Sequence, residues 1–138
     1  MTYLRQQKWA FALTALALIL TACGNAQERD LCREYEDLQQ AVTQVDELDP
    51  ETATAADALA IVENVMLQLD QFQAVSDGLY DQAVSNLNLA LEDLRVVVFD
   101  LGDEGLVVAR PLMEDSLTNT AAAYDALKQR LDVVCGTD

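Results

Sequence analysis

Carboxylates are the most numerous residues in this sequence that could perform acid–base or metal chemistry. The 138-residue chain has 24 acidic residues, eight Lys or Arg, and no histidine. Histidine is the commonest general base and metal ligand near neutral pH, so its absence argues against most hydrolytic and zinc sites. Adjacent carboxylates remain, such as Glu92 with Asp93 and Glu114 with Asp115. On helices they point away from the apolar stripe, so we expect a solvated face and no catalytic residue, metal site or cofactor.

Three cysteines are the other reactive residues: Cys23, Cys32 and Cys135. If the thiol of Cys23 is modified, as argued next, the other two form an even pair near the ends of an exported domain. In an oxidising compartment that pair predicts a disulfide. In the chain-entropy model, closing a loop of about 100 residues stabilises the fold by up to about 4.7 kcal/mol. Two free buried thiols, or a bridge between chains, are the alternatives.

The first 22 residues have the organisation of a bacterial lipoprotein signal peptide. Two cations, Arg5 and Lys8, precede the uncharged segment Trp9–Leu20, which is shorter than the roughly 20 apolar residues that span a bilayer. We predict cleavage before Cys23, lipid modification of its thiol, and anchorage to a membrane outside the cytoplasm. An ordinary secretory signal is the alternative. The prediction of cleavage and lipidation at Cys23 rests on a lipobox-like motif, which consists of Leu20, Thr21, Ala22 and Cys23.

The segment that follows the signal is strongly acidic. Removing residues 1–22 takes away two cations and leaves six against 24 carboxylates, a net charge of −18. Nucleic acid and anionic headgroups are therefore poor partners. We assign residues 23–27 to the lipidated cysteine and a short tether, and residues 28–138 to one domain. Gly24 rather than an aspartate follows Cys23, so retention at the inner membrane is not indicated where a cell also has an outer membrane.

Apolar residues recur at spacings of three and four in four blocks, which is the pattern of amphipathic helices. The first block runs from Leu31 to Leu48. The second is predicted to begin at Pro50, with Asp49 as its cap, and to stop at Asp77-Gly78. The third runs from Tyr80 to Leu101, and the fourth from Pro111 to Val134.

Short connections between four helices predict an all-α, antiparallel four-helix bundle. In that topology the start of the first helix and the end of the last lie at the same end of the bundle. Cys32 and Cys135 would therefore meet and close the bundle with one disulfide. We expect the apolar stripes to fill the interior, which argues against a ligand cavity.

Several apolar residues lie outside the predicted stripes. On the third helix these are Leu89, Val96 and Phe99, and on the second Ile61 and Leu67. The connection Leu106–Val108 or the bundle itself would cover them in one interpretation. In the other, Leu89, Val96 and Phe99 form an exposed patch for another protein, because monomers rarely leave large apolar patches uncovered.

The lipobox, the Asp-Pro break and two cysteine-containing segments together resemble small exported helical lipoproteins of actinobacteria. The first segment is Cys32–Leu38, which opens the first helix, and the second is Leu131–Cys135, which ends the last. In that group a cysteine begins the first helix and another ends the last one. The resemblance implies an extracytoplasmic helical lipoprotein and no particular activity.

The sequence therefore favours a membrane-anchored, non-enzymatic module that binds or spaces another component of the cell envelope. It would contact the membrane through its N-terminal lipid and an envelope protein through its surface. A lipoprotein that binds a small ligand or a divalent cation is the alternative, and a passive acidic surface protein is a third possibility.

Overall fold

The computed structural model describes residues 26–49, 51–102 and 106–136. The predicted signal peptide, the lipobox with Cys23, and Pro50 lie outside these residues. The chain divides into two units, Met1–Asp30 and Leu31–Asp138. The described residues of the first unit, 26–30, are helical and exposed.

Within the described residues, four helices form the predicted all-α bundle. They are α1 (26–46), α2 (Ala55–Val75), α3 (Asp81–Asp100) and α4 (Leu106–Cys135). Consecutive helices run antiparallel, and α3 packs against both α2 and α4. A disulfide joins Cys32 in the second turn of α1 to Cys135 at the end of α4, with their Cα atoms 5.4 Å apart. The predicted pairing and topology are confirmed. The described part of α1 includes Ala26 and Gln27, which the sequence assigned to the tether.

The predicted stripes supply most of the buried core. Phe72, Leu38, Leu87, Leu127 and Leu131 are among the fully buried side chains. The small residues Ala41, Ala55, Ala58 and Ala83 and the apolar Leu106 are also buried, and the periodicity did not single them out. At the end of α4 the prediction was wrong for Val134. That side chain is 41% exposed, whereas Leu131 is fully buried and Cys135 packs partly buried against the core.

Helix α2 begins later than the sequence predicted. Asp49 does act as a local cap, since its carboxylate accepts hydrogen bonds from the Glu51 N–H (2.9 Å) and the Thr52 hydroxyl (3.0 Å), but these form a turn and not a helix. The helix starts at Ala55 with Thr54 as its cap. The Thr54 hydroxyl accepts from the Asp57 N–H (3.2 Å), and the Asp57 carboxylate accepts from the Thr54 N–H (2.8 Å). This reciprocal capping box satisfies two backbone amides, so α2 starts after Thr54 and not at the Asp-Pro sequence that predicted its start.

The stop of α2 is confirmed. Ser76 is its C-cap, Asp77 has a φ of 49° and Gly78 a φ of 78°, so the chain leaves the helix through two left-handed residues. Glycine adopts that conformation without a steric penalty.

Helix α4 begins five residues before the predicted start at Pro111. Leu106 is buried in the core, and Pro111 lies inside the helix. A proline inside a helix removes one backbone hydrogen bond and its ring clashes with the preceding turn, at a cost of about 3 kcal/mol. Burying a leucine side chain contributes about 1.5–3 kcal/mol. Burial of Leu106 therefore offsets much of this cost, and the apolar segment that the sequence assigned to a connection is helical from Leu106 onward.

Candidate functional site

An open, mainly apolar groove of about 710 Å³ runs along the seam between α1 and α4. Helix α1 contributes Val42 and Val45 to one wall, Leu48 follows just after that helix, and α4 contributes Leu117 and Tyr124 to the other wall. The floor consists of core residues of α2 and α3, among them Val62, Val65, Leu87, Leu91 and Leu94. These core residues are at most 3% exposed, so the predicted stripes of α2 and α3 fill the interior and the groove lies above them, between half-buried walls.

The apolar residues of α1 and α4 are buried near the disulfide and only half-buried along the walls of the groove. Near the disulfide, Leu31 and Leu38 of α1 and Leu131 of α4 are buried. Further along, Val45 of α1 and Leu117 of α4 are only half-buried, although they belong to the same apolar stripes. The seam is thus closed at the end that carries the disulfide, which is called the stapled end below, and it opens along the second half of α1.

Small side chains in the middle of α4 explain the opening. Thr120 and Ala121 line the groove, and both Ala122 and Ala123 follow them. The Thr120 hydroxyl donates to the Ser116 carbonyl (2.8 Å), so it needs no partner from α1. Short side chains leave the space between the helices unfilled, whereas protein interiors are normally packed to crystal density.

Polar side chains mark the stapled end of the groove. The Asp132 carboxylate accepts a hydrogen bond from the Tyr35 hydroxyl of α1 (3.1 Å) and one from the Lys128 ammonium of α4 (2.7 Å). Lys128 and the neighbouring Asp125 line the groove. The three-residue contact between Tyr35, Asp132 and Lys128 joins α1 to α4 one turn away from the disulfide.

The charge states of this contact follow from its surroundings. Burial raises the pKa of Tyr35 and also that of Tyr124. The hydrogen bond from Lys128 lowers the pKa of Asp132, and the same bond raises the pKa of Lys128. At neutral pH the site therefore contains two neutral phenols and a Lys–Asp ion pair.

The candidate partner patch on α3 is exposed. Leu89 is 65%, Val96 48% and Phe99 71% accessible, so neither the bundle nor the following connection covers them. Arg95 and Glu92, on the same helix, form a two-bond ion pair (2.7 and 2.9 Å). The name α3 patch is used below for Leu89, Val96 and Phe99.

Two residues outside the predicted stripe of α2 behave differently from each other. Ile61 is half-buried and lines the groove, whereas Leu67 is exposed. Periodicity could not find the groove, because it identifies the apolar face of a helix but not the distance to the facing helix. The short side chains of Thr120 and Ala121 are the one sequence signal that could have indicated it.

The described part of the chain offers no cluster of three or more His, Cys, Asp or Glu residues suited to a metal ion. None of its helices combines the length and apolar character needed to cross a bilayer. The lipidation residue Cys23 and the lipobox residues Leu20, Thr21 and Ala22 lie outside the described residues, so the prediction of a lipid anchor stays a prediction.

The comparisons with known proteins do not assign this chain to a family. Comparison with protein-family models, with curated proteins and with solved structures found no significant match.

Proposed function

We propose that this protein is a lipid-anchored, extracytoplasmic, non-enzymatic binding protein that holds an apolar ligand in the groove between α1 and α4. The observation that carries the proposal is the groove itself, about 710 Å³ in volume and lined mainly by aliphatic side chains. Small-molecule sites typically have volumes of about 300–1,000 Å³, apolar walls and a few polar groups. The Lys128 and Asp125 side chains supply polar groups at one end of the groove.

The proposed location rests on the lipobox motif and on the disulfide. The lipobox ending at Cys23 supports a lipid anchor, and the Cys32–Cys135 disulfide is typical of oxidising, extracytoplasmic compartments. Membership of the actinobacterial-type lipoproteins named above is part of the same proposal. The lack of histidine supports a binding role over a catalytic one.

Photo-crosslinking in native membranes tests the ligand site. Membranes from cells that produce the full chain are treated with a long-chain alkyl alcohol that carries a diazirine and a terminal alkyne. We expect saturable labelling of the protein that maps to groove residues. Ala121→Trp, which places a large side chain in the groove from an exposed position, should lower the labelling at least about fivefold.

Ala122→Trp is the matched control, because Ala122 is equally exposed and does not line the groove. Its labelling should equal that of the unmodified protein. Equal labelling of the two tryptophan variants, or no saturable labelling at all, would remove the groove as a binding site.

A second candidate function is attachment of an envelope protein to the α3 patch, which the exposure of Leu89, Val96 and Phe99 favours. Cross-linking of intact cells, followed by purification of the lipoprotein, would identify a partner, with Cys23→Ala as the unanchored control. The double variant Val96→Gln and Phe99→Gln should lose that partner and keep its fold, because both side chains are exposed. Recovery of the same proteins with the double variant would exclude the patch.

A further inference from the structure

We infer that the stapled end of the bundle rests on the lipid surface, where Leu79 and Val133 enter the interface between headgroups and acyl chains. The inference rests on the lipid anchor proposed above. It follows from where the most exposed apolar side chains lie and from how few residues separate Cys23 from the bundle.

The two most exposed large apolar side chains of the described residues belong to different elements. Val133 of α4 is 86% exposed, and Leu79, in the turn between α2 and α3, is 73% exposed. Single exposed apolar residues are common on soluble proteins. The position that these two residues share therefore matters more than their exposure.

Leu79 and Val133 lie at the same end of the bundle. Helices α3 and α4 are antiparallel neighbours, and the Thr120 hydroxyl lies 3.3 Å from the Ala90 carbonyl oxygen, which fixes their register. Leu79 is 11 residues before Ala90, and Val133 is 13 residues after Thr120. At 1.5 Å per residue, both lie about 16–20 Å from that contact in the same direction. They are therefore level to within about 3 Å, and the disulfide at Cys135 identifies this end as the stapled one.

The lipid anchor holds this end close to the membrane. Cys23 precedes Leu31, the first buried residue of α1, by eight residues, and residues 26–30 are helical. With 1.5 Å per helical residue and at most about 3.6 Å per other residue, this connection spans no more than about 18 Å. Phe99 of the α3 patch is 20 residues beyond Leu79, which is about 30 Å further along α3. The stapled end is therefore the part of the bundle that a lipid on Cys23 keeps nearest to the bilayer.

The charges near this end favour lipids without net charge. The carboxylates of Asp77 and Asp81 flank Leu79 and are exposed, and the whole chain has a net charge of −16. Anionic headgroups would be repelled by this charge, whereas zwitterionic headgroups carry no net charge. The contact therefore depends on burial of apolar side chains in the interface.

Quenching of single tryptophans by brominated lipid tests this contact. Leu79→Trp, Val133→Trp and Phe99→Trp are each purified from membranes in the processed form, which lacks Trp9. They are reconstituted in phosphatidylcholine vesicles in which part of the lipid is brominated near the start of its acyl chains. Phe99→Trp is the matched control, because Phe99 is 71% exposed and lies on the α3 patch. We expect quenching at positions 79 and 133 to be at least about threefold greater than at position 99.

Lipid composition tests the role of charge. When phosphatidylglycerol replaces part of the phosphatidylcholine, quenching at positions 79 and 133 should fall at low salt. Added salt should restore it, because exposed charges are screened over about 8 Å at physiological ionic strength. Stronger quenching in the presence of phosphatidylglycerol would overturn the assignment to lipids without net charge.

The outcomes distinguish this contact from the anchor itself. The intact mass of the purified protein shows whether Cys23 carries lipid and residues 1–22 are removed. If the protein is lipidated but positions 79 and 133 are quenched no more than position 99, the stapled end does not rest on the lipid, and the anchor stands. If the protein from membranes carries no lipid, the anchor is wrong and both proposals fail.

Discussion

Asp132 provides a second link between α1 and α4, close to the disulfide. It lies three residues before Cys135, and its partner Tyr35 lies three residues after Cys32. Because three residues are about one helical turn, the hydrogen bond and the disulfide stack on the same faces of α1 and α4. The salt bridge from Lys128 keeps Asp132 ionised and oriented towards Tyr35.

The buried Tyr35 makes stability sensitive to alkaline pH. Its folded-state pKa is raised above the value of about 10 for an unfolded tyrosine. The neutral phenol therefore contributes stability that is fully present below about pH 10 and is lost as the pH rises towards the folded-state pKa. We expect the free energy of unfolding to fall more steeply between about pH 10 and pH 11.5 in the unmodified protein than in Tyr35→Phe.

Urea titrations of both proteins at pH 7, 10 and about 11.5 measure this difference. Lys128 is present in both proteins, so its own titration cancels in the comparison. Parallel losses of stability in the two proteins would show that the phenol of Tyr35 is not protected by the fold.

At the scale of the helices, the capping box decides where α2 begins. Thr54 and Asp57 satisfy each other's backbone amides, and the pKa of Asp57 is lowered because its carboxylate accepts bonds from Thr54. The start of the helix at Ala55 brings Ala58 and Val62 into the floor of the groove. A local bond pattern thus positions part of the candidate site.

Thr54→Ala should lower the free energy of unfolding by about 1 kcal/mol, the usual cost of losing a side-chain cap. Thr43→Ala is the control, since Thr43 is exposed within α1 and bonds only to the Gln39 carbonyl of its own helix. That change should be neutral or slightly stabilising, because alanine has the higher helix propensity. Equal losses in the two variants, measured by urea unfolding, would mean that the cap does not determine the stability of α2.

The sequence predicted the faces of the helices better than their ends. Leu87, Leu91 and Leu94 lie in an unbroken stripe, and all are buried as expected. The starts of α2 and α4 were misplaced because Pro50 and Pro111 are strong local signals that a capping box and the burial of Leu106 override. The groove escaped prediction because the separation of α1 and α4 depends on how two facing stripes fill space, which no single helix pattern contains.

Considered as a whole, the molecule is stapled at one end and open along the adjoining seam. The disulfide closes a loop of 103 residues in sequence separation and fixes α1 to α4 where their side chains already pack tightly. Away from this end, the half-buried Val42 and Val45 hold α1 less firmly. The disulfide therefore keeps α1 attached to the bundle although the seam beside it is open.

Removing the staple should destabilise the protein by up to about 4.7 kcal/mol in the chain-entropy model. Urea unfolding of the double variant Cys32→Ser and Cys135→Ser, compared with the unmodified protein, measures the loss. A reducing agent should shift the unmodified protein towards the variant and leave the variant unchanged. A variant as stable as the oxidised protein would show that packing alone holds the ends together.

Tryptophan quenching tests most directly whether an alkyl chain occupies the groove. The natural Trp9 lies within the predicted signal peptide, so Leu117→Trp places a reporter in the groove and Phe99→Trp places one on the exposed α3 patch. Each variant is purified from membranes in its processed form, without Trp9, reconstituted in phosphatidylcholine vesicles and titrated with a long-chain alcohol brominated along its chain. We predict saturable quenching at position 117 and little at position 99. Equal quenching at both positions, or none at position 117, would contradict the proposal that this groove binds an apolar ligand.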